Sequence, residues 1–476
     1  MFFKKNCFYS FPLFLLFSSS YAQPLVDPSL YEVPCLVLTL EKAVSQALSC
    51  NRQLLGTVEN LTQAQYGIDL AESEFRLSIT PNSQSGYYGG DRGKPGWIVG
   101  GGIDFSKKFS TGTLISIVPS IIKRREHYHT EIQTTIAQPL LRGLGKDYQL
   151  ANMKGAQFAL RSAYRNLYIA QVQLIMRTIQ ALYETVKLEQ SLELNKESYQ
   201  RINQFFKAAK LKEKMGISDA LDVYRAEIEL RHAEDVLKGT LERLEEAKDL
   251  LRDLLALPLD LCIKVEVPLL YSPHPIDLNQ AVKMALSTRI EMEQARDEQY
   301  ENERLSSLAK KNLLPELNLV LNYSNGGRAK QLARSCIHDR ENVWGIGLTT
   351  SSEFNPLADQ IAYEQSLIAI TSATRGVQQA EAALILEVKK VVRQLDRAYE
   401  RIRLQEGLIK TAQGELHLAK IKFDRGMTDN FNVIQAEKGL RGAQQNYWSA
   451  KIDHIVGEFQ LLTAIGLLID KPCIHK

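Results

Sequence analysis

The stretch AKIKFDRGMTDNFNVIQAE, residues 419–437, decides the fold, because the chain contains a second version of it, AKLKEKMGISDALDVYRAE, at residues 209–227. In each version a glycine, Gly216 or Gly426, interrupts a long helical pattern and is followed by a hydroxyl residue and an aspartate. Glycine has the backbone freedom to end one helix. Each stretch therefore predicts a tight turn between two helices. The predicted N-caps of the following helices are Ser218, Asp219, Thr428 and Asp429.

The helical patterns that flank these turns are narrow. Apolar or small residues recur in steps of four and three from Leu384 to Phe423 before the second turn, and from Val433 to Leu468 after it. Residues 223–254 repeat this spacing in the first half of the chain. Such a pattern is typical of a coiled-coil seam rather than of an ordinary globular helix. We also predict one helix over 148–214, which would be roughly 100 Å long.

A second pair of similar segments shows that the whole chain is duplicated. The helical openings Leu38–Ser49 and Ile276–Ser287 match at an offset of 238 residues, whereas the two turns match at an offset of 210. We therefore predict two tandem copies of one unit, residues 23–275 and 276–476. The offset between Pro81 and Pro315 is 234, so the first copy has 24 extra residues (234 − 210) before its turn.

The pattern changes from helix to strand in this interval. Residues 316–323 and 344–349 alternate between apolar and polar side chains in the second copy. In the first copy, residues 97–105, 113–118 and 131–138 are predicted strands, with 80–88 as a weaker fourth. Alternation with Trp and Tyr near strand ends is typical of a membrane β-barrel. Taken strand by strand, a soluble antiparallel sheet with one wet face is the favoured alternative.

The composition excludes several function classes. The 58 Lys and Arg residues nearly balance the 55 Asp and Glu residues, which argues against a nucleic-acid surface. We find no catalytic constellation, no cofactor motif and no metal-ligand spacing, so we do not expect an enzyme. Met1–Ala22 has the basic start, apolar core and small-residue end of a secretory signal. No cysteine follows the predicted cleavage site, so no lipid attachment is expected.

Five cysteines remain after that site. Their spacing fits no metal site, and an exported protein can form disulfides. We favour isolated buried thiols, with a disulfide as the alternative. The five are Cys35, Cys50, Cys262, Cys336 and Cys473.

In their order and duplication, these features resemble the TolC-type outer-membrane efflux family. The resemblance rests on the two helical openings, the segment 136–145 between strands and helix, the two glycine turns, and residues 254–258. It implies a mainly α fold with membrane β-structure, in which three protomers share one outer-membrane β-barrel and their helical hairpins form a periplasmic α-barrel. It implies a passive duct for efflux or type I secretion that works with a periplasmic adaptor and an inner-membrane transporter. A non-channel periplasmic coiled-coil scaffold is the alternative function.

The resemblance also implies roles for the two turns. The residues expected to dock the adaptor are Gly216, Ile217, Ser218, Asp219, Gly426, Met427, Thr428 and Asp429. The residues expected near a periplasmic aperture are Asp222, Arg225, Asn432 and Gln435. Asn432 and Gln435 stand where the best-known member has acidic residues, and Thr428 replaces an arginine that ties the closed tip to the equivalent of Asp222. The gate's usual bonds are therefore not assumed.

The 24 extra residues leave two strand counts open. Two barrel strands per copy would close a trimeric barrel with twelve strands, and an extra hairpin that also crosses the membrane would raise the count to eighteen. We expect twelve, with the extra hairpin extending outside.

Overall fold

The computed structural model describes residues 35–90, 93–216, 219–271, 277–337, 340–351, 356–428 and 430–471. The predicted signal at 1–22 lies outside these ranges. The first half contains β1 (Leu36–Leu38), α1 (Leu40–Cys50), α2 (Arg52–Ser73), β2 (Ser78–Gly90), β3 (Gly93–Lys108), β4 (Leu114–Arg124), β5 (His127–Pro139), α3 (Lys146–Gln149), α4 (Ala151–Lys214), α5 (Ala220–Leu254) and β6 (Ile263–Val265). The second contains α6 (Leu278–Thr288), α7 (Ile290–Asn312), β7 (Glu316–Ala329), α8 (Leu332–Ile337), β8 (Arg340–Ser351), α9 (Leu357–Asp424) and α10 (Asn430–Ala464).

The long helices pair as two hairpins, as the sequence predicts. Helices α4 and α9 have 64 and 68 residues, so each is about 100 Å long. Helices α5 and α10 have 35 residues each and return along only part of that length. The predicted seam is buried, with Val388, Ile402 and Ala450 fully covered. Within the described ranges, no helix combines the length and the apolar character needed to cross a membrane.

Near the sheet, α2, α4, α7 and α9 lie side by side as one layer. The α4–α7 joint is an ion cluster in which both Arg161 and Arg165 bind Asp297, at 3.1 Å and 2.7 Å. Burial raises the pKa of Asp297, but hydrogen bonds from the two guanidinium groups lower it below its ordinary value. This joint holds the first half of the chain against the second half.

The six longer strands form one antiparallel sheet in the order β2-β3-β4-β5-β7-β8. Strand β5 of the first half pairs directly with β7 of the second, for example Ile136 with Leu321. Strand β2 runs away from the helices and β8 runs back towards them. Within the described residues, the outer sides of β2 and β8 have no strand partner.

The two faces of this sheet differ in polarity, which follows from the period of two along a strand. One face carries Ile79, Trp97, Val99, Ile103, Phe105, Ile115, Ile117, Ile121, Ile132, Ile136, Leu317, Leu319, Leu321, Trp344, Ile346 and Leu348. The other carries Thr80, Asn82, Gln84, Asp104, Ser116, Glu131, Gln133, Thr135, Asn318, Asn322 and Thr349. Trp344 is 75% exposed on the apolar face of the single chain. An apolar face without cover is suited to lipid.

The extra residues of the first half are part of this sheet and do not form a separate hairpin beside it. Strands β3 and β4 lie between β2 and β5 and share their hydrogen-bonded rows. The backbones approach so closely that a Cβ on Gly102 would lie 2.7 Å from the Pro119 carbonyl oxygen. Pro119 has no N–H to donate, and the pairing of β3 with β4 is interrupted beside it, between Gly102 and Phe105.

The cysteines also differ from the favoured prediction. Cys35 and Cys262 form a disulfide across the parallel pair of β1 and β6, so they are not isolated thiols. The sequence could not show this pairing because the two residues are 227 positions apart. Cys50 is free and half-buried, Cys336 is free and exposed, and Cys473 lies outside the described residues.

Candidate functional site

The candidate site is the pair of turns at the far end of the helical hairpins, called the tips below. At each tip the glycine has a left-handed backbone, with φ of 70° at Gly216 and 69° at Gly426. The Gly426 N–H donates to the Phe423 carbonyl at 3.1 Å, which closes the last turn of α9. An added Cβ on either glycine would meet no atom within 4 Å. The glycines are therefore required by backbone conformation and not by space.

The predicted capping is only partly present. Asp219 occupies the N-cap position of α5, but its side chain makes no capping hydrogen bond, so this prediction is wrong in its chemistry. The Thr428 hydroxyl accepts a hydrogen bond at 2.5 Å from the Asn432 side-chain amide. Ile217, Ser218 and Asp429 lie outside the described residues.

Both tips present apolar side chains to solvent. Met427 is 71% exposed and Met215 is 56% exposed. Methionine adapts its shape to a partner and is common at binding surfaces that must accept varied contacts. The tips therefore combine a backbone shape fixed by glycine with an adaptable apolar side chain beside it.

One buried side chain joins the two tips. The amide of Asn430 donates to the main-chain carbonyl oxygen of Asp222, and Asn430 is completely buried. Its own amide oxygen has no hydrogen-bond partner, which is unfavourable in a buried position. Thr428 takes the place of the family's arginine, but the residue that joins the tips is Asn430, two residues later, which no sequence pattern singled out. The acceptor is a main-chain carbonyl oxygen, and every residue has one. The residue type at position 222 therefore could not predict this hydrogen bond.

Two aromatic contacts lie on either side of this bond. The Lys212 ammonium group lies 3.7 Å from the centre of the Phe423 ring and donates to the Phe423 carbonyl at 3.1 Å. Arg225 lies over Phe431 at 6.0 Å. Each contact joins one hairpin to the other. Arg225 and Phe431 are exposed, so their contact contributes only about 1 kcal/mol, whereas Phe423 is buried and its contact with Lys212 contributes somewhat more, about 1–2 kcal/mol.

Further from the tips, the hairpins are joined by ion pairs. Lys438 of α10 binds Glu229 of α5 at 2.6 Å, and Arg201 of α4 binds Glu437 of α10 at 2.6 Å. Both carboxylates are buried, so each depends on its cation partner. These pairs fix the angle at which the two hairpins approach the tips.

The four expected aperture residues lie on the first two turns of α5 and α10. Arg225, Asn432 and Gln435 are exposed, and Asp222 is half-buried. The structure thus brings Asp222 and Arg225 close to the second tip, through Asn430 and Phe431 respectively. Asn432 and Gln435 are neutral, so they add no negative charge at this point of α10.

This arrangement can position and hold the hairpins, but it offers little reactive chemistry. Among the described residues, no cluster of three or more His, Cys, Asp or Glu side chains is placed to hold a metal ion. The contacts between the tips are one buried amide bond, two cation–aromatic contacts and two ion pairs. They suit a joint that can separate without unfolding either hairpin.

Comparisons with known proteins agree with this architecture. Residues 277–467 match the family model "Outer membrane efflux protein". The chain is 21% identical over 327 residues to outer membrane protein TolC of Vibrio cholerae, covering 66% of this chain and 73% of that protein.

Two solved structures share the fold. The outer membrane protein VceC of Vibrio cholerae has a TM-score of 0.70 at 16% identity, over 90% of this chain and 96% of VceC. The CmeC outer membrane channel of Campylobacter jejuni has a TM-score of 0.70 at 14% identity, over 90% of this chain and 86% of CmeC. Residues 277–467 therefore carry the outer membrane efflux protein domain, and the long hairpins, the sheet and the fold shared over 90% of the chain support an efflux duct of the outer membrane.

Proposed function

We propose that three copies of this chain form one passive duct of a tripartite efflux or type I secretion system. The sheet supplies the wall of the outer-membrane part, and the hairpins extend through the periplasm. A periplasmic adaptor docks at the tips and connects the duct to an inner-membrane transporter. The duct needs no catalytic step of its own, because the transporter supplies the energy.

The observation that carries this proposal is the sheet, which has an exposed apolar face and, among the described residues, two edges without a strand partner. Unpaired backbone groups are very unfavourable in lipid, so a sheet that enters a membrane must close. Six strands in the order found do not close on themselves. If β8 of one copy pairs with β2 of another, neither edge is left unpaired. This pairing is antiparallel, like the rest of the sheet, because β2 and β8 run in opposite directions.

The helices support the same assembly. The outer side of α5 exposes Leu221, Tyr224 and Ile228, between 51% and 68%, at spacings of three and four residues. The outer side of α9 exposes Leu404 and Leu408, at 66% and 52%. Apolar stripes on both lateral edges of one chain are suited to contact with the next copy.

Cell fractionation tests the proposal against the periplasmic scaffold. The protein should be recovered with the outer membrane, and an unheated sample should migrate on a detergent gel as a compact species that changes position after boiling. The strain lacking this chain should accumulate a dye that the complemented strain exports. Recovery from the periplasm, with no change of migration on heating, would favour the scaffold.

A further inference from the structure

We infer that the outer-membrane wall contains eighteen strands, six from each of three copies, so that strand β8 of one copy pairs with β2 of the next. The inference rests on the proposed function, because lipid is what requires the edges to close. On this inference, each exposed strand edge pairs with another copy of this chain. Four properties of the sheet support it, namely the direction, length, tilt and combined width of its strands.

The strands are long enough, and run in the right directions, to form such a wall. The six strands have between 11 and 16 residues. A membrane-spanning strand needs roughly 9–11 residues, so each strand is long enough to cross. Because β2 and β8 point in opposite directions, joining them between copies continues the antiparallel order around the ring. The apolar face also continues, with Ile79 on β2 and Ile346 on β8 facing the same side.

The inserted hairpin cannot leave the wall without breaking it. Strands β3 and β4 are the only connection between β2 and β5 in the described sheet. On their polar face the two strands are joined by a side-chain hydrogen bond, which Ser116 of β4 donates to Asp104 of β3 at 2.9 Å. Their apolar residues, Phe105 and Ile117 among them, lie on the same side as Tyr323 and Trp344. The insertion therefore widens the wall and leaves its height unchanged.

The stagger of the strands gives the tilt that a barrel requires. Ser78 at the start of β2 lies on the same hydrogen-bonded row as Gly345, which is six residues (351 − 345) from the end of β8 at Ser351. Six residues are about 20 Å along the strand, and five gaps between strands are about 24 Å across, which gives a tilt of roughly 40°. Closed barrels have tilts of about 35–45°.

The width of the sheet matches that of the helical layer beneath it. At this tilt six strands span about 38 Å, whereas four strands would span only about 25 Å. The layer of α2, α4, α7 and α9 spans roughly 32–40 Å at ordinary helix spacing. The six-stranded wall and the helical layer are therefore of similar width. The barrel would be about 1.5-fold wider than one with twelve strands, since diameter grows with strand number.

A matched set of fluorescent probes tests this inference. Ile117 on β4 and Tyr323 on β7 lie on the same row and the same apolar face. Ser116 and Asn322 form the equivalent pair on the polar face. Each position is changed singly to cysteine, in a background with Cys50, Cys336 and Cys473 replaced by Ser. The purified protein is labelled with a small environment-sensitive dye and reconstituted into phosphatidylcholine vesicles.

Nitroxide-labelled phospholipid should quench the probe at Ile117→Cys to within about 2-fold of its effect at Tyr323→Cys, while iodide quenches the probes at Ser116→Cys and Asn322→Cys. If Ile117→Cys does not assemble, Ile121→Cys on the same face of β4 gives the same comparison. Lipid quenching at Tyr323→Cys but not at either β4 position would overturn the eighteen-strand wall and leave the proposed duct intact. Absence of lipid quenching at Tyr323→Cys would contradict the membrane sheet itself.

Discussion

The two ends of the molecule are held together in different ways. At the sheet end, β5 and β7 join the two halves of the chain by a continuous ladder of main-chain hydrogen bonds. At the tip end, a buried amide, two cation–aromatic contacts and ion pairs join them. A ladder in lipid cannot open, because its backbone groups would lose every partner. Side-chain contacts can be exchanged one at a time, so we expect any change of shape in the duct to occur at the tip end.

The two halves of the chain are nearly equal in helix length but unequal in strand number. Helices α4 and α9 differ by only four residues (68 − 64), so the two halves are nearly equal in helix length. Of the six strands of the large sheet, four come from the first half and two from the second. An added antiparallel pair changes the circumference of the wall without changing its height or the direction of its edges. The two halves can therefore differ in strand number while remaining nearly equal in helix length.

The largest expected effect is at the sheet end. In Gly102→Val the new Cβ would lie 2.7 Å from the Pro119 carbonyl oxygen, a main-chain atom that cannot move without separating β3 from β4. We expect a loss of roughly 3 kcal/mol or more and little assembled protein in the outer membrane. Gly326→Val on β7, inside the sheet, is the control, because a Cβ there makes only ordinary contacts, the nearest being the Thr130 carbonyl oxygen at 3.5 Å. Equal yields of the two variants on a detergent gel would contradict the close approach of β3 and β4.

The second largest effect is expected at the ion cluster that joins α4 to α7. Asp297→Asn leaves Arg165 buried without a counter-charge, and we expect a loss of about 3 kcal/mol. The folded pKa of Asp297 is lowered, so its contribution is fully present above the unfolded value of about 3.9 and is lost as the pH falls through the folded pKa. Thermal melting of the detergent-solubilised protein at several pH values measures both effects.

The control for this prediction is Asp147→Asn, whose carboxylate is 75% exposed beside Lys154. It should melt close to the unchanged protein. The difference between Asp297→Asn and the unchanged protein should shrink at acid pH. A difference that grew as the pH was lowered would contradict the assigned role of the arginine pair.

These regions also differ in how well the sequence predicted them. Helix bounds, the buried seam and the glycine turns followed from local patterns, because periodicity and backbone conformation are properties of neighbouring residues. All six strands were predicted, but their joining into one sheet was not, since strand order depends on contacts such as Ile136 with Leu321. The bond from Asn430 to Asp222 and the Cys35–Cys262 disulfide were missed for the same reason.

At the tips a smaller loss of stability should have a larger effect on function. Asn430→Ala removes the amide bond to the Asp222 carbonyl, and we expect a loss of only about 1 kcal/mol, because the unpaired amide oxygen is removed with it. The hairpins should separate more readily, and cells should become more sensitive to a large antibiotic that leaks inward. Asn302→Ala is the control, since its amide bonds only within α7, to Glu298 at 2.8 Å. Equal sensitivity of both variants would show that this bond does not restrain the tips.

The smallest expected change in stability is at the tip glycines. Gly426→Ala or Gly216→Ala places a Cβ at positive φ and should cost about 1 kcal/mol, so the trimer should survive. Adaptor docking should suffer more, because the altered turn is repeated around the ring, and Gly426→Glu should reduce transport further. Gly439→Ala, in the middle of α10 with open space around it, is the control. Loss of trimer and transport together would identify the glycine as a folding residue.

The central claim is that the exposed strand edges pair between copies of this chain. With the stagger described above, Gly345 of β8 should face Gln84 of the next copy (78 + 6), with both side chains on the polar face. Gln84→Cys and Gly345→Cys are combined in a background with Cys50, Cys336 and Cys473 changed to Ser, and Val343→Cys and Gly347→Cys replace Gly345→Cys to cover neighbouring registers. After oxidation in the outer membrane, at least one pair should give a ladder on a non-reducing gel that ends at three chains. Monomers alone for all three pairs, or a ladder that continues beyond three, would contradict the account.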